Sequence, residues 1–252
     1  MQLTVDMKGL LGKSAGDTLL IGLLMLLGVA TIFAFRFALG LRYIGAVVAA
    51  YLLFTSAVLV TWPRHPPQLK FGIANGVTLL RAIGVCLIVG TLALDTLRPQ
   101  LVWMVAGIAG CNLLLDGCDG RLARHYGITS AFGARFDMDV DALLIMVLCV
   151  VLVVHYDMAV WVLAIGLLRY FFEGAGLLRP WLRAPLTTST RGRVIGSYQI
   201  CTLIVALVSR PTIVREILLV SALLLLIYSF TIDIWSLYRR ATHALPALSS
   251  NR

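Results

Sequence analysis

Charge is what this chain has least of: only 13% of its residues are Asp, Glu, Lys or Arg, against 60% hydrophobic ones. That balance excludes an ordinary soluble globular domain, whose surface takes about a quarter of charged residues. Paired cysteine spacings are missing as well. Cys86, Cys111, Cys118, Cys149 and Cys201 fall mostly inside apolar stretches, where a thiol behaves as a small hydrophobe, so neither a disulfide framework nor a zinc site is indicated. The four histidines, His65, His125, His155 and His243, are scattered and set no metal or base pattern. There is no internal repeat and no low-complexity tract. The polar breaks between apolar segments are too short to hold a separate soluble core.

What is present is a series of eight apolar stretches over 252 residues, the pattern of a polytopic all-α membrane helix bundle. At about 20 residues per crossing, the pattern predicts helices near 18–38, 43–62, 74–94, 100–116, 137–155, 158–177, 194–209 and 214–236. The amino-terminal MQLTVDMKGLLGKSAGD is polar and mildly basic, and no small-residue cleavage site follows it, so the first apolar run reads as a retained helix. Pro63, Pro66 and Pro67 break the chain between the second and third stretches. Residues 1–66 therefore form a two-helix segment with a proline-rich linker, and 67–252 a six-helix body.

The net charge of +9 does not point to nucleic acid, because the basic residues sit in short loops rather than along one face. Anionic lipid headgroups and membrane orientation account for them. With the amino terminus in the cytoplasm, fourteen basic residues fall on the inner side and five on the outer. The expected protein is a multi-pass one of the cytoplasmic membrane with both termini inside. Trp62, Trp103, Trp161, Trp181, Trp235 and Tyr170 read mostly as interfacial anchors.

Five of the twelve acidic residues lie between Asp116 and Asp141. A carboxylate near a bilayer costs several kcal/mol, roughly, unless it is compensated. Asp116 and Asp119 are three apart at the end of one predicted helix, and Asp137 and Asp141 four apart at the start of the next, so each pair shares a helical face. Gly120 is expected to let the chain turn, and Gly133 to let a ligand or a backbone approach closely. Four converging carboxylates cannot all stay ionised alone. Divalent cations are the natural remedy, and an all-oxygen set favours Mg2+, Mn2+ or Ca2+ over zinc. Arg124 can hold a phosphate by bidentate bonds. Asp139 lies on the opposite side of its helix from the Asp137/Asp141 face and reads as solvated or structural.

The string Asp116-x-x-Asp119-Gly120-x-x-Ala123-Arg124, eight residues, Gly133-x-x-x-Asp137-x-x-x-Asp141 resembles the signature of the CDP-alcohol phosphotransferase family (CDP-alcohol phosphatidyltransferases) at all eight specified positions. The resemblance extends over the six-helix body, about residues 71–240. It implies transfer of a phosphoalcohol, phosphatidyl in the main reading, from a CDP-linked lipid donor to the hydroxyl of a small polar alcohol acceptor, with release of CMP, in phospholipid biosynthesis. It also implies two divalent cations, Mg2+ or Mn2+, held by Asp116, Asp119 and Asp137. Asp141 would complete the metal site and act as general base, and Gly120, Ala123 and Arg124 would contact the CDP moiety. A homodimer is implied by the resemblance alone. The family often opens its first core helix with Pro-Asn-x-x-Thr-x-x-Arg; here Asn75, Thr78 and Arg81 keep the spacing, while Ala74 stands in place of the proline. Those three read as helix-start anchors or, with the resemblance, as contacts to the nucleotide or pyrophosphate.

Two other classes compete. An intramembrane Mg-dependent prenyltransferase expects Asn-x-x-x-Asp-x-x-x-Asp, and here Asn112 and Asp116 are followed by Gly120, so the third carboxylate is missing. A cation transporter expects its site near the bilayer midplane, often with inverted repeats, and this cluster lies at a face. A CDP-aminoalcohol donor with a lipid acceptor fits the same motif. Arg169 and Glu173, four apart inside an apolar stretch, are expected to pair. The loop from Arg179 to Arg193 reads first as an inside-positive loop on anionic lipid; Arg191 and Arg193 are its candidates for an acceptor phosphate site.

Overall fold

The computed structural model describes residues 15–61, 73–126, 131–178 and 190–249. Among the described residues there are eight α-helices and no strand: α1 (Ala15–Phe37), α2 (Leu41–Thr61), α3 (Ile73–Gly90), α4 (Pro99–Tyr126), α5 (Ala131–Tyr156), α6 (Leu163–Leu178), α7 (Thr190–Val208) and α8 (Thr212–Ser249). Short 3-10 turns at Thr91–Ala93 and Val160–Val162 follow α3 and precede α6. Seven of the eight helices are long and apolar enough to cross a membrane. The eighth, α6, has 16 residues, about 24 Å at 1.5 Å per residue. Large apolar side chains are exposed along these helices, Phe35 and Leu41 at 89% and 86% among them, which only a lipid surround makes favourable. The protein is an integral membrane protein.

The expected helices are all present, but their ends differ where the chain turns polar. α4 was expected to stop near 116 and runs to Tyr126; α5 begins at Ala131 rather than 137. The expected turn at Gly120 is absent, since Gly120 lies inside α4. A glycine within a helix costs only about 1 kcal/mol, and Arg121, Leu122, Ala123 and Arg124 behind it are good helix formers. Hydropathy marks where lipid ends, while backbone hydrogen bonds can continue into water.

By backbone packing the chain divides into two compact units, 1–147 and 148–252, with the boundary inside α5. In the first unit α3 is the central helix: it packs on α1, α2 and α4, and 67% of its apolar window is buried against 22–28% for α1, α2 and α4. Gly90 of α3 lies against Tyr43 and Val47 of α2 with no room for a Cβ, so the two backbones approach closely, and the buried Tyr43 hydroxyl donates to the Leu87 carbonyl at 3.3 Å. Tyr51 of α2 ties α1 by donating to the Leu19 carbonyl at 2.7 Å. In the second unit α8 packs on α6 and α7. The Tyr156 hydroxyl donates to the Leu207 carbonyl at 2.9 Å, and Arg215 donates from Nε to the Ala206 carbonyl at 3.0 Å. The Arg215 guanidinium also stacks 4.3 Å from the Tyr156 ring centre.

α1 ends in a Schellman motif in which the Leu39 N–H reaches the Ala34 carbonyl at 2.8 Å and the Ala38 N–H the Phe35 carbonyl at 3.4 Å. The motif needs a left-handed residue, and that residue is Ala38, at φ 51°. A side chain there is strained by roughly 1 kcal/mol. Ala38→Gly is therefore expected to stabilise the protein by about 1 kcal/mol, read as a raised thermal midpoint in detergent. An unchanged midpoint would mean that the Cβ strain is absorbed elsewhere.

Candidate functional site

Three helices of the first unit build the site. α4 carries Asp116 beyond the buried part of its apolar run. α5 carries Asp137 and Asp141 one turn apart, and α3 carries Thr78 and Arg81, which are 3% and 1% exposed. One oxygen from each of Asp116, Asp137 and Asp141 lies within 4.8 Å of the others. Arg81 sits among them: Nη1 is 3.3 Å from Asp116 Oδ1 and donates to Asp137 Oδ1, while Nη2 donates to Asp141 Oδ1. The planar fork of the guanidinium suits this bridging of two carboxylates.

The grouping has a local cause. Asp137 and Asp141 share a face because they are four apart on a continuous helix. Asp116 joins them from a separate helix, α4, around Arg81 of α3. Burying a guanidinium costs several kcal/mol unless it is matched by opposite charge, and three carboxylates around it supply the match. Ionised, the three carboxylates and one guanidinium carry a net charge of −2. A set of three carboxylate oxygens this close, still negative after its arginine is counted, fits a hard divalent cation. The three acidic residues are thus positioned to hold a metal ion.

Of the residues picked out in the sequence, Asp116, Asp137, Asp141 and Arg81 come together. Thr78 is buried three residues before Arg81 on α3. Gly133 lies in the first turn of α5. Positions 119, 120, 123 and 124 fall within about 80° of position 116 around α4, but the side chains of Asp119, Ala123 and Arg124, like that of Asn75 on α3, lie outside the described residues, as does Glu173. Asp139 is exposed and is not one of the three grouped acids. Arg193 is exposed at the start of α7.

Two further polar residues stand out, one named in the sequence only for the competing prenyltransferase pattern and one not named there at all. Asn112, one turn before Asp116 on α4, is 3% exposed; its Nδ2 donates to the Ile108 carbonyl at 2.9 Å and its Oδ1 is buried with no partner among the described residues. Its amide lies against Gly84 of α3, three residues on from Arg81. The second is Asp233, the hydrogen-bonding partner of Arg191 in the second unit. Its signal was there to be read: an acid inside an apolar span is functional or paired. With the two side chains 30% and 22% exposed, solvent screens the pair. Asp233→Leu is expected to cost about 1–2 kcal/mol, and Arg191→Met in the same chain to recover most of it. A double variant no more stable than the single one would show that the pair is not coupled.

A family model described as CDP-alcohol phosphatidyltransferase matches residues 71–230 of the chain. No curated protein and no solved structure matches it.

Proposed function

Since the chain belongs to the CDP-alcohol phosphatidyltransferase family, whose members transfer a phosphoalcohol group from a CDP-alcohol, we propose that it is a phospholipid-synthesising enzyme of the cytoplasmic membrane. The donor is CDP-diacylglycerol, the acceptor a small polar alcohol and the by-product CMP. One observation supports the assignment most: Asp116 of α4 and the Asp137/Asp141 pair of α5 present oxygens within 4.8 Å of one another around Arg81. We assign residues 67–252 to the catalytic part and 1–66 to a supporting segment, since α2 of that segment packs on α3.

Asp116, Asp119, Asp137 and Asp141 hold two divalent cations, Mg2+ or Mn2+, in this proposal. When bound, such ions neutralise charge on the diphosphate and on the phosphoryl group in transfer. Asp141 takes the proton of the acceptor hydroxyl as its oxygen attacks the phosphorus that bears the lipid alcohol. The bond from that phosphorus to the CMP oxygen breaks, and CMP leaves. Before a cation binds, Arg81 holds Asp141 through Nη2. Gly120, Ala123 and Arg124 contact the CDP moiety, Gly133 leaves space for it, and Asn75 and Thr78 lie toward the pyrophosphate. In the second unit Arg191 and Arg193 are assigned to an anionic group of the acceptor, with Asp233 directing Arg191. The excess of basic residues in the loops joined to the motif supports an active site on the cytoplasmic face.

The experiment is a panel. Purified protein with Mg2+ or Mn2+ is given labelled CDP-diacylglycerol and, in turn, glycerol phosphate, inositol, inositol phosphate, serine and choline. Stoichiometric CMP and one new lipid are expected with one acceptor. No CMP from this or any CDP-alcohol donor, together with metal-dependent ion flux in vesicles, would replace the enzyme by a transporter.

A further inference from the structure

Arg81 is one of the largest fully buried side chains among the described residues, on the most buried window of the seven membrane-length helices. Its partners include three of the carboxylates assigned above to the cations. A guanidinium is permanently charged and cannot release itself by losing a proton. Two positive occupants therefore converge on one set of oxygens, one tethered to α3 and one from solution.

We propose that Arg81 is the resident counter-ion of this cluster. It keeps Asp116, Asp137 and Asp141 assembled before a divalent cation arrives, and it must give up Asp137 and Asp141 for the cation to bind there. The inference rests on the metal-site reading of the previous section. Without Arg81, three carboxylates from α4 and α5 within 4.8 Å of one another would lose a positive charge that lies among them, and their repulsion would strain the helix ends apart. With Arg81, the metal-free site is held in nearly the geometry the metal needs, at the cost of a competitor for its ligands. Arg81 is thus a positioning residue acting through the carboxylates. Coupling between two occupants is reciprocal, so the competition can be measured from either side.

The test uses the full-length protein in detergent, Mn2+ alone as the probe, and two readouts that need no substrate: calorimetric Mn2+ affinity, and thermal unfolding in chelator and in saturating Mn2+. Arg81→Gln is expected to lower the midpoint in chelator, to bind Mn2+ roughly tenfold more tightly than the unaltered protein, and to gain a larger rise in midpoint from Mn2+. Arg81→Lys, a point charge without the fork, is expected to fall between the two. An arginine that merely packs would lower the midpoint equally in both conditions with Mn2+ affinity unchanged, which overturns the proposal. Weaker Mn2+ binding by Arg81→Gln also overturns it, since Arg81 would then assist the metal. Should Arg81→Gln not fold in chelator, adding Asp141→Asn removes one repelling charge and is expected to restore folding; failure to do so overturns the proposal. If the unaltered protein and the variants all ignore Mn2+, the metal site itself falls, and this inference with it.

Discussion

Asp141→Asn is expected to lower CMP release by about 10²-fold or more while the thermal midpoint in detergent stays close to that of the unaltered protein. The amide is isosteric with the carboxylate and its oxygen still accepts the hydrogen bond from Arg81 Nη2. Asp116 and Asp137 remain to balance the guanidinium, so the helices keep their reason to meet. What is lost is basicity, because an amide takes no proton from an attacking hydroxyl. Activity within a few-fold of the unaltered enzyme would remove Asp141 from the chemistry. Loss of activity with an equal collapse of the midpoint would recast it as a structural acid. Asp139→Asn is the internal control: the residue is exposed and is not one of the three grouped acids, and CMP release should stay near its original level.

Removing divalent cations should have a comparable effect. Charge stabilisation by bound metal contributes several kcal/mol to phosphoryl transfer, roughly a factor of 10³ or more in rate. Excess chelator is expected to take CMP release to background and Mg2+ or Mn2+ to restore it, with zinc a poor substitute in an all-oxygen site. The protein should stay folded through the cycle, because Arg81 pairs with the carboxylates once the cations are gone. Undiminished turnover in chelator would take the cations out of the proposal.

Much of the fold was legible in the chain. Each of the eight apolar stretches coincides with a helix, and most helix starts lie within a few residues of the expectation. The largest exceptions share one cause. α4 passes ten residues beyond its expected end, α5 begins six residues early, and α8 continues to Ser249, because apolar runs record the thickness of lipid and say little about where backbone hydrogen bonding stops. Gly120 misled for the same reason: a glycine in a polar stretch looks like a turn, yet its helix penalty is small. Ala38 offered no signal at all, since glycine usually announces the left-handed position it occupies.

The sequence by itself determined the family of the protein, its membrane character and three of the acids that gather, because motif, hydropathy and helical spacing are local properties. Spacings of three and four residues put pairs of acids on common faces. Only the tertiary structure decided what those faces meet. Arg81 pairs with residues 56 and 60 positions away and Arg191 with one 42 positions away, and no local pattern encodes which buried cation will neutralise which acid. That choice follows from helix packing, which carries a permanent charge to a place in the first unit where three opposite charges can compensate its loss of water.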